Sequence, residues 1–133
     1  MTRVGRRARH RGDRGAAVVD VVLVLVVLVP LVLGVLQVAL VMHVRNTMAS
    51  AGAEGARYAA ALGRTPADGV ARTRVEIDQA VSARYADDID VRVVSLGGVP
   101  TVRVVVRAQV PALGLGGPAV DVEAVGHALL ERP

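Results

Sequence analysis

Gly15, Ala16 and Asp20 are the residues whose types and spacing could do chemistry. They lie in "GAAVVDVV", the opening of an apolar run that continues through Met42. An ionised carboxylate in hydrocarbon is costly, so Asp20 needs a reason. Suppose a peptidase on the cytoplasmic face cuts between Gly15 and Ala16. Ala16 then becomes a new N-terminus with an ammonium charge, and Asp20 sits one helical turn away, at about 6 Å of rise. The N-terminal helix dipole favours a carboxylate there, and the carboxylate can compensate an ammonium of its own or a neighbouring chain. Between helices packed away from water an unpaired charge is strongly disfavoured. The pair would therefore select one axial register more than it would add raw stability.

Two other readings of residues 1–42 use the same residues differently. In one, the segment is a secretory signal peptide cleaved after Ala51, at the A-x-A match Ala49-Ser50-Ala51. The apolar run, however, exceeds the usual h-region of about 7–15 residues. In the other, it is an uncleaved signal anchor with Asp20 at headgroup level. A twin-arginine signal fits less well, because "RRARH" lacks the apolar residues expected after an arginine pair.

Elsewhere the sequence offers little chemistry. His10, His43 and His127 are scattered, with no ligand spacing between them. Asp87, Asp88 and Asp90 lack the glycine and terminal glutamate of an EF-hand loop and read as a solvated acidic corner. "GLGG" is followed by neither a helix nor a lysine, so it reads as a turn rather than a phosphate loop. Cysteine is absent, which removes disulfides, thiolate ligands and cysteine nucleophiles. With no Phe or Trp and two tyrosines, there is no base-stacking surface for nucleic acid. No enzyme site, cofactor, metal or small-molecule substrate is implied.

The elements that must position these residues follow from charge and periodicity. Arg3, Arg6, Arg7, Arg9, Arg11 and Arg14 crowd the first 15 residues against Asp13 alone, whereas from Val44 onward ten arginines meet ten acids. The basic character therefore belongs to a leader at 1–15 and not to a basic domain. Val21–Met42 is 22 residues without formal charge, about 33 Å as a helix, enough to cross a hydrocarbon core of ~30 Å. The positive-inside rule then puts the N-terminus in the cytoplasm and the rest outside. The Ala-rich continuation extends one long helix over 17–62, with Ala49, Ala53, Ala56 and Ala60 as a small-residue stripe. The expected organisation is a cytoplasmic leader at 1–15, a transmembrane segment at 16–43, a helical stalk at 44–64, and a small extracytoplasmic domain at 65–133.

Within that domain Thr65-Pro66 reads as an N-cap followed by a first-turn proline, opening a second helix over 66–85 with Val70, Ile77, Val81 and Tyr85 on one side. The period then changes to two. "DVRVVS" and "TVRVVVRAQV" flank the turn "LGGVP" as a β-hairpin, and "AVDVEAVGHALLE" reads as a third strand. Asp121 and Glu123 share a face, so pairing with Arg103 or Arg107 would favour one register. The fold class is α+β: a long helix, half transmembrane and half beyond it, a second helix, and an antiparallel sheet of three to four strands.

The stretch "RGAAVVDVVLVLVVLVPLVLGVLQVALVMHVRN" and the following "AGAEGARYAAALG" resemble the TadE-like proteins of tight-adherence (Flp-type) pilus systems. The resemblance covers residues 14–63. It implies a type IV pilin-like leader with Gly15 before the cut, Ala16 as first mature residue and Asp20 as the fifth. Most of the family carries Glu at that fifth position, so this chain keeps the charge on a side chain one methylene shorter. The implied function is a minor pilin-like subunit (a pseudopilin) that helps assemble a pilus or related secretion filament. Its partners would be membrane lipid, a prepilin peptidase and other pilin-like subunits, with no nucleic acid, and its place the cytoplasmic membrane. The alternative is an anchored or secreted binding module without a pilus role.

Overall fold

A computed structural model describes residues 12–113 and 117–131. Helix α1 spans Gly12–Ala60 and helix α2 Pro66–Ala80; a 3-10 turn at Ala83–Tyr85 leads to strands β1 (Asp88–Leu96), β2 (Val99–Val110) and β3 (Val120–Leu129). The chain divides into two compact units, Met1–Val35 and Leu36–Pro133.

The first unit is helix alone among the described residues. Its valines and leucines face outward without exception from Val18 to Val32, Val27 at 69% exposure. The helix continues through Pro30, whose missing N–H leaves one carbonyl in the preceding turn without its usual partner. Lipid-crossing helices tolerate such an interruption.

The second unit is the expected α+β arrangement. Three antiparallel strands lie in the order β1-β2-β3. β1 and β2 meet across Gly97 and Gly98, with φ of 60° and 83°. Positive φ at both central residues is the type I′ form of a two-residue hairpin turn, and glycine supplies it without strain. Register is fixed by alternation: Val102, Val104, Val106 and Val110 point into the core, with Val122 and Ala124 beside them from β3. Arg107 stands opposite Glu123 and bonds it at 2.9 Å, and Gln109 donates to Asp121 at 2.9 Å. The acid face of β3 thus pairs with Arg107 as its spacing suggested. Arg103 instead stands between Arg92 and His127.

The helical continuation expected at 44–64 forms much of this core. Val44, Met48 and Ala56 are fully buried, and Ala51, Ala59 and Ala60 nearly so. The face of closest approach is rotated from the expected stripe: Ala56 and Ala60 are on it, Ala49 and Ala53 are half-buried, and Gly52 and Gly55 lie at the contact. A Cβ on Gly126 of β3 would overlap the backbone of Gly52 and Ala53. A Cβ on Gly55 would overlap the Thr73 hydroxyl, and one on Gly69 would come within 2.7 Å of the Ala59 methyl. Glycines on α1, α2 and β3 therefore let three backbones touch, which alanine does not permit.

Helix α2 starts where its cap was expected. The Asp68 N–H donates to Thr65 Oγ1 at 3.3 Å, and the Thr65 N–H donates to Asp68 Oδ2 at 2.8 Å, a reciprocal capping box. It ends at Ala80, short of the expected 85. Val81 leaves helical geometry with φ −136° and ψ −72°, and Ser82 is extended. The β-branched Val81 is a poor residue for extending a last turn. Ile77 and Tyr85 are buried, but Val70 and Val81 only half so; Gly69 and Thr73 complete the buried face.

Candidate assembly site and its framework

Gly15, Ala16 and Asp20 all lie within the first turns of α1, which runs uninterrupted from Gly12 across the Gly15–Ala16 bond. All three are exposed. A Cβ on Gly15 would meet nothing within 4 Å, so no packing in this chain calls for glycine there, while glycine inside a helix costs roughly 0.8–1.0 kcal/mol against alanine. The neighbours of Asp20 one helical turn away are Ala16, Ala17, Leu23 and Val24, none of which carries a compensating charge in the intact chain. Hydrolysis of the Gly15–Ala16 bond would change this. It would create an ammonium at Ala16 and remove the carbonyl partners of the first helical N–H groups, leaving a positive helix end facing Asp20. Of the topology residues, Arg3, Arg6, Arg7, Arg9 and Arg11 lie outside the described residues; the backbone of Arg14 is helical.

The helix beyond is long and apolar enough to cross a membrane. Its most apolar 18-residue window has a mean hydropathy of 3.1 and none of it is buried. A core helix of a water-soluble protein would bury such a window.

Residues 15–57 match the TadE-like protein family. The TadE-like stretch begins on Gly15, the residue expected before the cut, and ends in the part of α1 that packs on the sheet. It bears out the resemblance read from the residues and covers less than half of the chain. No curated protein and no solved structure matches the chain.

Outside the TadE-like stretch, the charged end of the sheet offers a wide, shallow cavity lined by Arg84, Asp87, Asp88, Arg107, Asp121 and Glu123, among others. Arg107 there is shared between Glu123 at 2.9 Å and Asp88 at 3.8 Å. Such exposed pairs are worth about 1 kcal/mol or less each. The three aspartates expected as an acidic corner do not gather into a ligand set: Asp90 pairs with Arg92 at 2.7 Å, and no metal-capable group of three occurs among the described residues.

Sequence reading missed two contributors. One is the glycine set Gly52, Gly55, Gly69 and Gly126, for which the signal was present: glycines inside a helix and a strand mark close backbone approach. The other is Gln37, which the apolar run made look like a mild interruption. Its Nε2 donates to the Pro111 carbonyl at 3.2 Å, and its Oε1 accepts the Leu113 N–H at 2.7 Å. Nothing in the sequence marks a partner more than seventy residues away.

Proposed function

We propose that this protein is a pilin-like subunit, structural rather than catalytic, that takes part in building a tight-adherence type pilus or related filament. The family match supports the association with such pili. The observation that carries the finer reading is Gly15-Ala16 followed by Asp20 at the head of an apolar segment whose valines and leucines are exposed from Val18 to Val32, at the point where the family match starts. A prepilin peptidase removes the arginine-rich leader on the cytoplasmic side. The freed Ala16 ammonium and Asp20 then hold a fixed axial offset between neighbouring helices, because any other offset leaves a charge uncompensated in hydrocarbon. The α+β unit, on the outer side, supplies contacts to other subunits.

The N-terminal mass of protein recovered from membranes tests this. A chain beginning at Ala16 is expected. A start at Met1 would leave an uncleaved anchor, and a start at Gly52 would mean ordinary signal-peptide removal, with the chain then a secreted binding module.

A further inference from the structure

We propose that the loop leaving β2 at Pro111–Leu113 rests on the lipid surface and that α1 leaves hydrocarbon at Gln37, so that the span is 16–36 rather than the 16–43 that hydropathy suggests. The inference rests on the membrane-spanning reading of α1. The Gln37 amide is engaged at both ends, by the Pro111 carbonyl and the Leu113 N–H. These two groups belong to non-strand backbone. Irregular backbone facing lipid is not tolerated within hydrocarbon, because its unpaired groups cannot be hydrated there. The level of Gln37 is therefore at or outside the hydrocarbon edge.

The same level is not suited to open water either. Residues 108–120 carry no charged side chain, and Leu113 and Val120 are exposed at 37% and 40%. On α1 beside Gln37, Leu36, Val38 and Met42 are exposed at 50% or more. Val120 pairs with Val110 next to Pro111, so the loop and this end of the hairpin are contiguous. An apolar rim whose helix amide is already satisfied fits the headgroup boundary of a bilayer. Length agrees: Ala16–Leu36 is 21 residues, about 31 Å of helix against ~30 Å of hydrocarbon. A span placed there holds the new N-terminus at the inner edge and Asp20 about one turn inside it, at ~6 Å.

The chain has no tryptophan, so single substitutions give unique emission from the full chain in phosphatidylcholine vesicles carrying bromines high or low on the acyl chains. Leu113→Trp should be quenched at least twofold more by the shallow bromines than by the deep ones. Leu96→Trp, exposed at the far end of the hairpin, should be quenched by neither, and Val27→Trp should be quenched by the deep ones. Ala119→Trp repeats the first measurement in case a ring at 113 disturbs Gln37. Leu113→Trp and Ala119→Trp both behaving like Leu96→Trp, with Val27→Trp quenched, would overturn the loop contact while leaving the span intact. Blue-shifted emission at 113 without quenching would assign the rim to another protein surface and overturn it too. An unquenched Val27→Trp would remove the span itself, and this inference with it.

Discussion

In the intact chain Asp20 has no charged residue one helical turn away, and the proposed role follows from that lack. Replacing it with alanine removes a group that costs up to about 2.5–3.5 kcal/mol at mid-membrane and less near the edge. Asp20→Ala should therefore insert at least as well as the natural chain, as read by membrane fractionation, yet fail to support filament assembly. Asp20→Glu should retain assembly, since charge and position survive. Gly15→Leu should insert normally and keep its leader, visible as retained mass. The helix itself gives no reason for glycine at 15, so blocked processing would place the requirement in the peptidase that must accommodate the bond.

At the scale of elements, two devices hold the frame. The glycine contacts bring α1, α2 and β3 to backbone distance, and adding one methyl there has nowhere to go. Gly126→Ala should cost about 1–3 kcal/mol or more, measurable as a lowered denaturant midpoint, while Gly34→Ala, which meets nothing within 4 Å, should not destabilise. The capping box at the start of α2 adds a pH dependence. The Thr65 backbone N–H and hydroxyl beside Asp68 hold its carboxyl below the ordinary 3.8. A carboxylate with a lowered folded value contributes stability that is complete above the unfolded value and lost as pH falls through the folded one. Unfolding midpoints should therefore drop on acidification below about pH 4, and Asp68→Asn should flatten that dependence.

For the whole molecule, the folded unit starts at Leu36 and not at the end of α1. Val44, Met48, Ala51 and Ala56 belong to its core. Residues 36–133 expressed alone should show cooperative unfolding. Residues 65–133, with that helix gone, should show none, because the sheet would lose its main apolar partner; near-ultraviolet signal and denaturant titration separate the two. A three-stranded sheet with one short helix has too little buried surface to hold by itself.

The sequence by itself determined what depends on neighbours along the chain. The period-three-to-four and period-two patterns, the Thr65 cap, the Gly97-Gly98 turn and the order of elements were all legible, because each is set within a few residues. The spacing of Gly15, Ala16 and Asp20 along one helix was legible in the same way, and their proposed role rests on that spacing. The tertiary structure alone decided which face of α1 meets the sheet, since alanine and glycine look alike to a periodicity argument until another backbone arrives. It also decided that Gln37 holds a loop from the far end of the chain. Hydropathy sums side chains one helix at a time, and so gives no sign of the residue where a distant backbone, needing hydrogen bonds, docks on the helix.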